Sequence, residues 1–350
     1  MLGVLYAALG AFTFALNNVA MRRGVVTGSV LQGMALTVPI GGVSFLVMTI
    51  AFGELHHLLL FPRAAVAWLA CQGTVHFVIG RYCNYKSNQL MGVNLTAPVV
   101  QLQVPFAMLL AVAVLLPHEK FTVLQAIGSA LMLGGSFITQ ANAGKRTPES
   151  SRSAARAAIP PVGSPAERGA TEPKQTFQPR VFSGYLLGLG AAMCYGSSPL
   201  MAREAFLHAP DVSAVAGGCV AYAAATLSFL LILLKPGSSS DIRSTKRENL
   251  PWFLASAGLV AVSQAFVYAS LAVAPLMVVT PVLQLSLVFR LFLSQLINRE
   301  HEVMNTAVII GAFTAVLGSV LVALDTDALT TFLQVPLWFA EFLQSRLAGQ

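Results

Sequence analysis

Pro98-Val-Val-Gln-Leu102 and Pro281-Val-Leu-Gln-Leu285 stand 183 residues apart and differ at one position. The same offset places Tyr85 on Tyr268, Ser87 on Ser270, His118-Glu119 on His301-Glu302, Gly128 on Gly311 and Gly135 on Gly318. An offset of 181 places Gly3 on Gly184 and Arg22 on Arg203. Apolar helices resemble one another by chance, but polar, proline and glycine positions that recur in order across four helices identify an internal repeat.

The repeat is written in apolar residues. Hydrophobic types make up 56% of the 350 residues and charged types 10%, against roughly 25% charged in ordinary soluble domains. The charges are clustered, leaving uncharged runs near or above the roughly 18 to 20 residues that span a bilayer as helix. These runs predict helices at about 2–21, 30–52, 64–84, 92–115, 121–141, 183–202, 212–234, 251–271, 275–297 and 303–324. The run between Glu248 and Arg290 holds 41 residues, too many for one helix, and Ala274-Pro275 supplies its break. The fold class is an all-α integral membrane protein of ten transmembrane helices in two five-helix repeats. Five is odd, so the second copy enters the membrane from the opposite side and the repeats are inverted. That plan suits a secondary transporter, because two such units can form a midplane site with alternating access.

Four segments follow: a first repeat over 1–141, a linker over 142–181, a second repeat over 182–325 and a tail over 326–350. The linker holds Pro148, Pro160, Pro161, Pro165, Pro173 and Pro179 among Ser, Ala, Arg and Glu, and is expected to be disordered. The tail carries Leu333, Trp338 and Phe342 around Pro336 and reads as an amphipathic segment at the interface or packed on the bundle. Met1 to Ala20 lacks the basic start of a signal peptide and has a counterpart in mid-chain, so it reads as a retained first helix. The net charge of +7 resides in the linker and at the ends of apolar runs, which argues topology rather than nucleic acid. Cys71, Cys83, Cys194 and Cys219 show no metal-ligand or disulfide spacing, so no metal and no cofactor are expected. GxxxxGK[ST] is absent, excluding the usual ATP motor. His56-His57 with Glu54 is too local a cluster for a membrane enzyme. A non-transporting membrane partner, acting through the basic linker, is a further class.

The run from Tyr85-Lys-Ser-Asn-Gln-Leu-Met-Gly-Val-Asn-Leu-Thr-Ala-Pro98, followed by His118-Glu119, Gly128 and Gly135 and by the parallel set in the second half, resembles the EamA-type members of the drug/metabolite transporter superfamily. The resemblance covers about 2–141 and 183–324. It implies a multi-pass protein of the inner or plasma membrane that exports small solutes, amino acids or related metabolites, by alternating access. The alternative is a carrier of nucleotide sugars or lipid-linked head groups. It also implies cytoplasmic termini. The Lys and Arg count points the other way: 17 on the linker side against 4 opposite places the linker in the cytoplasm and the termini outside.

Transport needs a polar cavity and backbone that bends around it. Pro98, Pro105 and Pro281 break helices four and nine, and Gln101, Gln103 and Gln284 lie within a turn or so of them. Gln101 and Gln284 either line a cavity or tie helices together. Asn17 and Asn18 are adjacent, hence about 100° apart on a helix, so at most one is expected to face the cavity centre, and Ser197 and Ser198 hold the matching place. Arg81 and Arg290 lie within apolar runs; each either snorkels to the headgroups or receives a substrate carboxylate or phosphate. His76, one turn from Arg81, is the candidate for proton coupling. Glu119 and Glu302 precede helices and are expected to cap them and pair with charge. Gly128, Gly134, Gly135, Gly311 and Gly318 suit close packing, as a scaffold or as a homodimer contact.

Overall fold

The computed structural model of the chain describes residues 2–115, 121–141, 177–273, 279, 282–323, 336, 338 and 346–348. The first half runs α1 (Leu2–Thr27), α2 (Val30–Ala51), a 3₁₀ turn (Leu55–Leu59), α3 (Arg63–Gly73), a π-helical stretch (Thr74–Gly80), α4 (Arg81–Met91), α5 (Val93–Val100), α6 (Gln103–Leu115) and α7 (Val123–Ala141). The second runs α8 (Val181–Leu207), α9 (Ala214–Leu233), a short α10 (Ser238–Arg243), α11 (Leu250–Val273), α12 (Leu285–Ile297), a 3₁₀ turn (Arg299–His301) and α13 (Thr306–Ala323). A two-strand contact, β1 (Phe121–Thr122) antiparallel to β2 (Arg346–Ala348), ties a piece of the tail to the start of α7.

Each of the ten expected windows contains helix. Six stretches are long and apolar enough to cross a membrane: Leu2–Thr27, Val30–Ala51, Val93–Leu110, Val123–Ala141, Ala214–Leu233 and Leu250–Val267. The other windows hold shorter or less apolar helices, so length and composition alone establish six of the ten expected crossings. Outward faces carry Val43, Val47, Phe137, Leu234, Phe292 and Phe313, each more than half exposed. A soluble monomer would not leave so much apolar surface in water; lipid is its solvent.

Local chemistry sets the ends. Ser29 caps α2 in a reciprocal capping box with Gln32, and Ser213 caps α9. Gly92 ends α4 and begins α5 at φ 89°, a backbone state that other residues rarely enter. The break between α5 and α6 has a cause in sequence. Pro105 has no N–H for the Gln101 carbonyl, which accepts from Val104 N–H at 3.1 Å instead. The same tightened bond recurs at the repeat-related place, Leu287 N–H to Gln284 O at 3.1 Å.

The halves are related by an inverted pseudo-twofold. A Cβ on Gly128 of α7 would lie 2.7 Å from Gly318 O of α13, and one on Gly311 would lie 2.6 Å from Gly135 O. Gly128 corresponds to Gly311 and Gly135 to Gly318, so the contacts are crosswise and the two helices antiparallel. Repeats of the same orientation would instead pair Gly128 with Gly311. Elsewhere α1 lies antiparallel to α11, with Ser263 Oγ donating to Gly10 O (3.0 Å), Ser256 Oγ to Asn17 Oδ1 (2.6 Å) and Thr27 Oγ1 to Asn249 Oδ1 (2.9 Å). The mirrored contact sets α8 against α3 and α4, with Ser87 Oγ donating to Gly184 O (2.8 Å) and Gln72 Nε2 to Ser198 Oγ (2.9 Å).

Several expectations need correction. Of the two uses expected for the glycine faces of α7 and α13, scaffold or homodimer contact, Gly128, Gly135, Gly311 and Gly318 serve the first, within one chain; Gly134 alone of the set has nothing within 4 Å. Helix α1 continues to Thr27, so Arg22 and Arg23 are helical rather than in a loop. Pro281, the Ala274-Pro275 break, His118 and Glu119 lie outside the described residues, as do linker positions 142–176 and most of the tail. Of the linker's end, Arg180 N–H donates to Leu90 O at 2.9 Å and the Phe177 ring lies 4.6 Å from the Arg22 guanidinium carbon.

Candidate functional site

A cavity of about 280 Å³ opens between α1, the π stretch and α4, the α5–α6 break, α8, α11 and α12. Gln101 and Gln284, one from each repeat, both stand on its wall. Gln101 Nε2 donates to Gln284 Oε1 at 2.7 Å, both side chains buried. Each is the other's repeat equivalent, so this bond lies on the pseudo-twofold axis. The two readings of these glutamines both hold: they line the cavity and tie the halves together.

On α1 the wall is formed by Gly10, Ala11, Phe14, Asn17 and Asn18. That is a wide stripe at helical spacing, so both asparagines stand on the wall. Asn17 Oδ1 accepts from Ser256 Oγ at 2.6 Å, and Asn18 Nδ2 donates to Phe14 O at 2.8 Å. Ser197 and Ser198, near the matching place in the second half, are not on the cavity wall.

Arg81 and Arg290 both line the cavity and are each 5% exposed. Neither snorkels. Arg81 donates from Nη1 to Thr37 O (3.1 Å) and from Nη2 to Tyr222 Oη (2.9 Å), and its guanidinium carbon lies 5.3 Å from the Phe77 ring centroid. Arg290 lies 5.0 Å from the Phe14 ring, and its Nε is buried with no hydrogen-bond partner. Among the described residues neither arginine has a carboxylate partner. Among the described residues no Asp or Glu lines the cavity.

His76 also faces this space. Its ring centroid lies 4.6 Å from those of Phe77 and Tyr195, and its Nδ1 is buried without a partner. The π stretch Thr74–Gly80 presents His76 and Phe77 and hands on to Arg81; such an extra-residue turn re-aims side chains and recurs at functional sites. Gly73 and Gly80 allow it to sit tight, against the Ala221 backbone and the Tyr195 ring.

One end of the bundle is sealed. Arg22, 1% exposed, donates from Nε to Glu302 Oε1 (3.2 Å), from Nη1 to Gln89 O (2.9 Å) and from Nη2 to His301 O (2.7 Å). Glu302 also accepts from Val93 N–H (2.9 Å) and Asn94 N–H (3.0 Å). It therefore caps α5 of the first half and not the helix that follows it; α13 is capped by Asn305. The plug lies at the end of α1 that faces the linker, while the cavity reaches from Asn17 back toward Gly10.

The structure adds wall residues that spacing did not single out, Asn84, Tyr195, Gln264 and Ser286, and gives Tyr85, known from the sequence only as a repeat position, a place beside them. A lone Gln264 inside an apolar run was a usable signal. The tyrosines were not, since an apolar helix carries aromatic residues for packing alone.

Comparison with known proteins now has a geometry to attach to. The model of the EamA-like transporter family matches residues 1–140 and 182–324. The chain belongs to the EamA-like transporter family. It is thus a membrane transporter of small solutes. No curated protein matches the chain. A crystal structure described only as that of a protein is 17% identical, with TM-score 0.48, over 94% of this chain and 99% of its own.

Proposed function

We propose that this EamA-like chain is a secondary transporter that carries small metabolites of amino-acid size, amino acids and related carboxylates among them, across the cell membrane by alternating access. Ten helices cross the bilayer as two inverted repeats, and the solute sits in the cavity around Gln101 and Gln284. The observation that carries this reading is the position of that cavity, on the axis that exchanges the two halves. A site there is equally distant from both ends of the bundle, which alternating access requires.

The linker side is cytoplasmic and the sealed end faces the cytoplasm. Arg22, Arg81 and Arg290 are buried and do not vote in the positive-inside rule. Outside the linker, seven Lys and Arg remain on that side against four opposite, so the bias narrows but keeps its sign. A C-terminal reporter that fluoresces only in the cytoplasm should stay dark.

Flux measurements in vesicles containing the purified chain test the function: at least one small metabolite moves faster than in empty vesicles, with a rate that changes when a proton gradient is imposed. Absence of any flux, with or without the gradient, removes the proposal. His76 is the coupling residue. With His76→Gln, solute exchange at equal pH continues while the response to the gradient falls at least about tenfold, the scale of losing one positioned acid–base group; an undiminished response assigns coupling elsewhere. Nucleotide sugars and lipid-linked head groups fit less well. A cavity of about 280 Å³ is below the roughly 300–1,000 Å³ that enclose drug-sized ligands, and a nucleotide sugar is bulkier than those.

A further inference from the structure

We infer that the solute this cavity takes is a small organic anion, one whose carboxylate or phosphate group leaves it with net negative charge, and that Arg290 is the residue that grips it. The inference rests on the transporter reading and narrows its cargo: neutral amino acids and cations are the poor matches.

The protein itself supplies the contrast that carries the argument. Where it buries an arginine for structure, at Arg22, it brings a carboxylate to 3.2 Å and two carbonyls besides. At Arg81 and Arg290, equally buried, it brings no carboxylate among the described residues. A buried charge is normally paired, because an unpaired one loses hydration without compensation. The missing counter-charge has a place to arrive, since both arginines open on the same cavity.

The two cations play different parts. Arg81 spends Nη1 on Thr37 O and Nη2 on Tyr222 Oη, so it is held against the wall and contributes its field. Arg290 keeps a buried Nε without a partner and has the Phe14 ring near its guanidinium. A planar fork with free donors is the arrangement that receives carboxylate or phosphate oxygens bidentately. Among the described residues the rest of the polar wall holds no carboxylate: it has the amides of Asn17, Asn18, Asn84, Gln101, Gln264 and Gln284, and the His76 imidazole, which becomes a further cation when it takes a proton. These amides can orient a solute of either sign, but with no Asp or Glu beside them an ammonium group would meet two guanidiniums and no opposite charge. In low dielectric that asymmetry selects against cations and disfavours zwitterions.

The test uses the full-length chain, purified in detergent, with thermal unfolding followed at fixed ionic strength. Lactate, succinate and glycerol 3-phosphate serve as anions, alanine and glutamine as zwitterions, ethanolamine as cation. At least one anion should raise the unfolding midpoint saturably, and the zwitterions and ethanolamine should not. Arg290→Gln should raise the half-saturating concentration of that anion on the order of 30-fold, as loss of one partner of a buried charged contact does. Arg290→Lys, which keeps the charge and loses the fork, should fall between. Should Arg290→Gln fail to fold, Gln284→Glu provides the second arm: a carboxylate built into the cavity supplies the counter-charge from within and should abolish anion stabilisation. The inference is overturned if no anion of the set stabilises, if alanine, glutamine or ethanolamine stabilises as strongly, or if either glutamine-site or arginine-site variant responds to anion as the parent does. Failure of the parent reading looks different. Anion-dependent stabilisation with no flux in vesicles removes transport and leaves the anion site; flux of alanine or ethanolamine without anion binding does the reverse.

Discussion

Glu302→Gln is expected to destabilise the protein by about 3 kcal/mol, at the lower end of the roughly 3–5 kcal/mol seen when one partner of a buried ion pair is removed. The side chains of Arg22 and Glu302 are 1% and 0% exposed. The substitution keeps the shape and one acceptor oxygen but leaves the guanidinium with neutral acceptors only, that oxygen and the Gln89 and His301 carbonyls. It also removes the negative charge from the N-terminus of α5, where Val93 and Asn94 donate their N–H groups. The check is denaturant unfolding in detergent, parent against variant, together with Arg22→Met and the Arg22→Met, Glu302→Gln double change. If the cost is an unpaired buried charge, the double variant recovers much of the loss, because neither charge is left alone. Additive losses in the double variant would assign the effect to capping and packing instead.

Gly135→Val is the second large effect expected. A Cβ there would stand 2.7 Å from the Ala315 backbone nitrogen and 3.1 Å from Ala315 Cβ, so α7 and α13 have to part. Overpacking of this kind costs about 1–3 kcal/mol and occasionally more, and backbone on the far side of the contact cannot rotate away, which puts this site at the upper end, about 3 kcal/mol. Gly134→Val is the control one position along. Nothing lies within 4 Å of its Cβ, so its stability should stay within about 0.5 kcal/mol of the parent. A matched loss in both variants would mean that helix propensity, not the crosswise glycine contact, governs this pair. A midpoint comparison by intrinsic fluorescence, with size-exclusion profiles for aggregation, decides it.

Much of the architecture was legible because repetition amplifies weak signals. One glutamine in an apolar helix says little; Gln101 and Gln284 at equivalent places predict a shared environment, and they are hydrogen-bonded. The glycines of α7 and α13 were legible for the same reason, although which copy each would meet was not. What stayed hidden is what depends on the partner element. Arg22 sits at the end of an apolar run, and sequence cannot distinguish a cation that leaves the membrane from one that meets Glu302, 280 residues away. Glu302 reads as the cap of its own helix because local spacing is all that sequence offers. The π stretch Thr74–Gly80 continues the apolar run of α3 without a proline to mark it, so no periodicity announced the extra residue that re-aims His76 and Arg81. Tyr222, the partner of Arg81, looks like any core aromatic.

The bond between Gln101 and Gln284 has a logical property that its neighbours lack. A single N–H···O contact between two equivalent amides cannot obey the twofold that relates them: one must give the hydrogen and the other take it. The molecule has to choose, and turning both amides over yields the opposite choice with the same bond remade. The two choices are not equal in cost: in the one observed, Gln101 Oε1 also accepts from Gln103 Nε2 at 3.4 Å, and the repeat equivalent of Gln103 is Ser286, so the tie is broken at the centre itself, by one residue that the two halves do not share.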